Sequence, residues 1–185
     1  ALEDISGIVV DGQSIYLMDL ITLGGAIRIP ISSWQATLQT GAKCYVQCVI
    51  PAAIDYAAQI DAATEFVIYR QLYIVGGATM HYEMARAPAQ TKQVDQGPNN
   101  YTVTISGYID EYPVDASPPT STDRVLSGVR SASTYSGGGM RVRCDIDFAL
   151  RPGQRAYIGS TPIIVDYINF YAPGNDQYMD VGERV

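Results

Sequence analysis

Asp145 and Asp147, with Asp166 further along, come closest in type and spacing to a reaction centre. On one strand, positions i and i+2 share a face about 6.6 Å apart. That falls within the roughly 5–9.5 Å at which two carboxylates serve as acid and base, or acid and nucleophile, in glycoside hydrolysis. Arg141 and Arg143 occupy the same face, so a ladder of surface ion pairs, or charges pairing across a subunit contact, accounts for all four residues at less cost. His81 is the only histidine, and no G-x-S-x-G run accompanies it, which leaves a nucleophile-histidine arrangement without support. Cys44, Cys48 and His81 would supply three zinc ligands on paper. The two thiols, however, stand roughly 13 Å apart along an extended strand, too far for one ion whose bonds to sulfur are about 2.3 Å. Gly138-Gly139 lacks the Lys and Ser/Thr of a phosphate-binding loop. The expectation is a non-enzymatic protein, with no catalytic residues, no cofactor and no metal.

Arg141 to Leu150 (RVRCDIDFAL) must position those charges. Its even positions, Val142, Cys144, Ile146, Phe148 and Leu150, are all apolar, and its odd positions begin Arg, Arg, Asp, Asp. Such alternation predicts a central strand with one dry and one wet face, stopped by Pro152-Gly153. Lys43 to Ile50 alternates in the same way, with Cys44, Val46, Cys48 and Ile50 inward. Tyr101 to Ile109 does so too, with Tyr101, Val103 and Ile105 inward. Ile5 to Val10, ended by Asp11-Gly12, and Ile15 to Leu20 read as a hairpin. Ala26 to Gln39 reads as one strand, at an edge or kinked because Pro30 lies within it, with Trp34 as a core anchor. Glu65 to Val75 and Thr79 to Arg86 read as a hairpin turning at Gly76-Gly77. Pro162 to Tyr171 is apolar at nearly every position, as expected of a strand buried on both faces or carrying an interface on one. Gln177 to Val181 is a last short strand. Pro51 to Thr64 is the one plausible helix, opened by proline and rich in alanine. Ala87 to Asn100 reads as loop, and Ser131 to Met140 as a flexible connection.

The sum is an all-β or β-dominated chain, a barrel or a sandwich with one short helix near 51–64. The expected organisation is a β-domain over 1–110, a linker or long loop with one possible strand over 111–139, and a β-hairpin region over 140–185 that packs on the first part, the whole forming a single domain or two.

Composition narrows the function. A formal charge of −7 and only two lysines, Lys43 and Lys92, argue against a nucleic-acid grip, which needs clustered cations. An acidic wall would instead repel DNA passing beside it. Charged residues are only 17 % of the chain and tyrosines outnumber phenylalanines 14 to 3, which points toward protein contacts. Three cysteines cannot all pair within one chain, and Cys44 and Cys48 stand too far apart for a disulfide, so buried free thiols in a reducing compartment are expected. ALEDISGIVV has neither the basic start nor the long apolar core of a signal peptide, and no apolar run reaches the roughly 18 residues of a membrane span.

YVQCVIP (45–51) with its following alanine-rich helix and EFVIYR (65–70), then DQGPNNYTVTISGY (95–108), then VRCDIDFALRPGQ (142–154), IIVDYINFY (163–171) and QYMDVGE (177–183), together resemble β-domains of tail-tip and baseplate proteins of tailed bacteriophages. The resemblance implies a structural subunit of a closed ring or hub around the tail channel, hexameric for distal tail proteins and trimeric for hub proteins. It implies tail tube, hub and tape-measure proteins as partners, and a place in the virion tail after assembly in the bacterial cytoplasm. The contact residues expected are Arg141, Arg143, Asp145 and Asp147, with the tyrosine at the Tyr167-Ile168 step and Tyr171. The alternative is a carbohydrate-binding β-module for host-surface recognition, which would need two or three tyrosines and an Asp or Asn on one concave patch.

Overall fold

The period-two alternation becomes hydrogen-bonded strand through most of the chain in the computed structural model, which describes residues 15–73, 79–112, 123–173 and 176–185. Four strands form a small antiparallel sheet: β1 (Ile15–Thr22), β2 (Gly25–Pro30), β5 (Glu65–Tyr73) and β6 (Thr79–Pro88), in the order β2-β1-β5-β6. A larger sheet runs β10-β11-β14-β13-β3-β4-β8-β7. Its members are β3 (Ser33–Gln39), β4 (Cys44–Ile50), β7 (Thr91–Gly97), β8 (Asn100–Ile109), β10 (Ser131–Thr134), β11 (Met140–Cys144), β13 (Thr161–Ala172) and β14 (Tyr178–Glu183). Two short strands extend off this path: β12 (Arg155–Ile158) pairs antiparallel with β13, and β9 (Arg124–Val125) pairs parallel with β12 on its other side.

The two sheets pack as a sandwich, so of the two architectures expected the closed barrel is not the one formed. Met18, Leu20, Phe66 and Ile68 of the small sheet face Leu38, Val46, Cys48, Ile105, Ile168 and Phe170 of the large one in one buried cluster. Trp34 ties the layers together, with its ring 5.2 Å from Tyr16 in the small sheet and 5.6 Å from its own neighbour Phe170. It is the core anchor that its size suggested. Cys44, Val46, Cys48 and Ile50 are all buried, as the alternation required. β3, from the first part of the chain, is hydrogen-bonded to β13 from the last part, so both belong to one sheet.

Several expectations are corrected. Arg141 to Leu150 is not a ten-residue central strand: β11 ends at Cys144 and is second from an edge, while β13 and β3 hold the centre. The alternation persists beyond Cys144 because Ile146, Phe148 and Leu150 still pack on the core, but the β14 ladder ends at Met179, opposite Cys144. Asp145 N–H turns aside to donate to the Ser127 carbonyl at 3.1 Å. Ala26 to Gln39 is two strands in two sheets, divided after Pro30, which closes edge strand β2 because its nitrogen has no hydrogen to give. Residues within 87–100 form β7, and the segment 131–140 holds β10 and a tight turn at Tyr135 to Gly139. Both strands sit at sheet edges and bury almost nothing, so they carry no apolar rhythm.

The helix is shorter than its sequence suggests. A 3-10 turn, Ala53–Tyr56, leads into α1 (Ala57–Ala62), with Ile60 buried and Ile54 exposed. The strand over 5–10 with its Asp11-Gly12 turn, the Gly76-Gly77 turn, and the Pro113, Pro118, Pro119 stretch lie outside the described residues. β5 and β6 pair antiparallel as the expected hairpin.

Candidate functional site: the outer face of the large sheet

With the dry face of the large sheet turned inward, the alternate residues form a continuous polar and aromatic outer surface. Strand register sets its rows. One row runs Arg143, Asp180, Asn169, Thr37, Tyr45, Tyr108, and the next runs Tyr178, Tyr171, Gln35, Gln47, Ser106, Thr91.

At the β11–β14 end the row is a charged cluster built around Asp180, which is 1 % exposed. Arg143 Nε donates to Oδ1 at 2.8 Å and its Nη2 to Oδ2 at 2.9 Å, while Arg141 Nη2 donates to Oδ2 at 2.8 Å. Arg143 is the bidentate partner, a geometry that the flat guanidinium suits. Its hydrogen bonds, joined by that of Arg141, hold the Asp180 carboxyl below its ordinary range, against a burial that pushes the other way. Arg143 also lies 4.3 Å over the Tyr178 ring, which stacks on Tyr171 at 5.1 Å.

Tyr167 lies flat over Gly182, directly opposite it on β14. A methyl group at position 182 would fall 2.0 Å from a Tyr167 ring carbon, so glycine is what lets the ring lie there. The Tyr167 hydroxyl is 2.6 Å from that of Tyr135, and burial, aided by this bond, pushes its pKa up to about 12. Ile168, the next residue, is buried in the core.

The six residues expected at contacts are thus brought only partly together. Arg141, Arg143, Tyr167 and Tyr171 share the outer face. Asp145 and Asp147 lie past the end of β11, and their strand-face relation does not hold. Asp145 is 3.9 Å from Arg130, whereas Asp147 pairs with Arg124 and accepts the Ala149 N–H at 3.0 Å. Asp166 sits at a bulge in β13 and accepts a hydrogen bond from the Thr40 hydroxyl. Each of the three carboxylates therefore has its own partner. His81 is exposed on β6 opposite Gln71. Among the described residues no group of three or more His, Cys, Asp or Glu could hold a metal ion. All three cysteines are buried free thiols.

At the β4–β8–β7 end the outer face forms an open concavity of about 700 Å³. Tyr45 and Tyr108 stand side by side there, with ring centres 5.1 Å apart. Tyr45 Oη donates to Gln47 Oε1 at 2.7 Å, which fixes its ring. Tyr108 is 53 % exposed. Asp180, Tyr178 and this tyrosine pair were missed by sequence reasoning. Alternation places each on an outer face, but only cross-strand register brings them next to one another.

No protein family matches the sequence, and no curated protein does. Solved structures do. The crystal structure of the tail protein from Neisseria meningitidis MC58 superposes with a TM-score of 0.55 at 8 % identity, over 92 % of this chain and 96 % of that one. The two chains share a fold.

Proposed function

We propose that the protein is a structural subunit of a phage tail tip or baseplate, which packs with other copies into a ring or hub around the tail channel and carries out no catalysis. The fold likeness to a tail protein over nearly the full length of both chains carries this reading. Two further features support it. Among the described residues, β7 and β10 each pair on one side only, so the large sheet ends in two different open edges. A contact between unlike edges is heterologous and closes into a ring when its rotation allows. The net charge of −7 suits a wall that DNA passes without adhering. Arg141, Arg143, Asp145, Asp147, Tyr167 and Tyr171 are the proposed contact residues, and tail tube, hub and tape-measure proteins the proposed neighbours.

Native mass spectrometry and electron microscopy of the purified chain, alone and mixed with the products of the neighbouring genes, test the reading. A closed trimer or hexamer is expected. Asp145→Lys is the informative variant: its ion pair is long and its side chain more than half exposed, so reversal leaves the fold intact while disturbing the contact. A chain that stays monomeric both alone and with those proteins would refute the proposal.

A further inference from the structure

The concavity at the β4–β8–β7 end has the composition of a binding site rather than of a subunit seam. From the phase of β8, Tyr108 and Thr102 face the same side, six residues apart, so the trough runs about 20 Å along the strand. Tyr108 and Tyr45 stand at one end, and Asp95, paired with Thr102 on β7, lies at the other. The aromatic end is pre-set: Tyr45 is anchored to Gln47 and packed against Tyr108, so the half-exposed Tyr108 ring needs little ordering to receive a ligand. Gln47 Oε1 accepts from both Tyr45 and Gln35, so its amide N–H groups are what it has left to offer. Gln93 and Asp95 are exposed on the far wall. Lys92, the one cation in the trough's lining, turns its side chain to the other side of the sheet, where its Nζ donates to the Asp61 carbonyl at 2.6 Å, and exposed Lys43, just before β4, stands outside the lining at the tyrosine end.

We infer that this trough binds a neutral oligosaccharide lying along β8, one sugar ring on Tyr108 and hydroxyls on the Gln47 and Gln93 amides and the Asp95 carboxylate. An exposed aromatic face takes the apolar face of a pyranose, amides and a carboxylate take its hydroxyls, and a trough open along its length takes a chain rather than a single ring. An anionic ligand finds no free cation in the trough's lining and meets Asp95 and a chain of net charge −7. A nucleic acid is excluded for the same reason. The site lies within one chain, so it stands whether or not the protein forms a ring.

The full-length chain is applied to an array of neutral tri- to hexasaccharides built on glucose, galactose, mannose and N-acetylglucosamine, with sialylated and sulfated saccharides alongside, and hits are titrated by calorimetry. Capture of a neutral saccharide is expected, with binding weakened about tenfold or more in Tyr108→Ala and in Asp95→Asn, and largely retained in Tyr108→Trp. The urea midpoint of Asp95→Asn should match the parent, because that side chain is exposed, whereas that of Tyr108→Ala should fall slightly with loss of the ring contact to Tyr45 and still leave the chain folded under the conditions of the titration. Capture of no saccharide would overturn the inference. So would affinity that Tyr108→Ala leaves unchanged, or binding confined to anionic saccharides.

Discussion

Replacing Asp180 with asparagine keeps the shape of the side chain and removes its charge. Asp180 accepts three N–H groups from two arginines at 2.8–2.9 Å and is almost wholly buried. Breaking a buried pair from one side costs about 3–5 kcal/mol when the remaining charge is stranded. Here Arg141 and Arg143 have side chains 46 % and 40 % exposed, so water recovers part of their solvation. Asparagine also keeps one acceptor oxygen, though its NH2 now faces a guanidinium. The expected loss is about 2–4 kcal/mol, or a fall in Tm of roughly 6–12 °C for a chain of this size. Urea unfolding followed by the fluorescence of Trp34, the only tryptophan, measures it. The effect has a pH signature. Because the native carboxyl is held below its ordinary value of 3.8, its contribution is fully present above that value and fades as pH falls through the lower native one. The gap between parent and Asp180→Asn should therefore close in strong acid. A loss under about 1 kcal/mol at neutral pH, or a gap that does not change with pH, would refute the account of the cluster.

Two further outcomes follow from the packing. At Gly107 on β8 an added methyl would lie 1.9 Å from the Pro88 carbonyl oxygen and 3.3 Å from Ala87 Cβ, so β6 would have to move away; Gly107→Ala should cost about 3 kcal/mol or more in urea unfolding. Gly97→Ala, with nothing nearer than 3.9 Å, should stay within about 0.5 kcal/mol. In the folded protein at neutral pH, Cys44, Cys48 and Cys144 should resist an aromatic disulfide reagent and all react once urea unfolds the chain: each is 0 % exposed, and burial pushes the Cys144 thiol up to about 12 and that of Cys48 higher. Fast stoichiometric labelling of the native chain would count against the packing described.

Where a strand buries one face, its identity is legible from local order. Residues 44–50 and 101–109 alternate because every second side chain meets the opposite sheet, and their inward sets match the buried ones, except that Tyr101 is only half-buried. Edge strands leave no such mark. β7 and β10 meet solvent on both faces, so TKQVDQG and SAST read as loop. The opposite failure occurred at Arg141 to Leu150, where alternation outlasted the ladder: burial and strand pairing usually coincide, but Ile146 and Phe148 reach the core from irregular backbone.

The sequence by itself determined that the chain is β-rich with one short helix, that its cysteines lie inward, and which phase of each alternating run faces water, because each of these depends on residues within one segment. Tertiary structure alone decided the sandwich over the barrel, the partnership of Arg141 and Arg143 with Asp180 rather than with Asp145 and Asp147, and the meeting of Tyr45 with Tyr108. Those pairings join residues 37–63 positions apart, and which strands lie side by side is set by how both sheets close over one shared core.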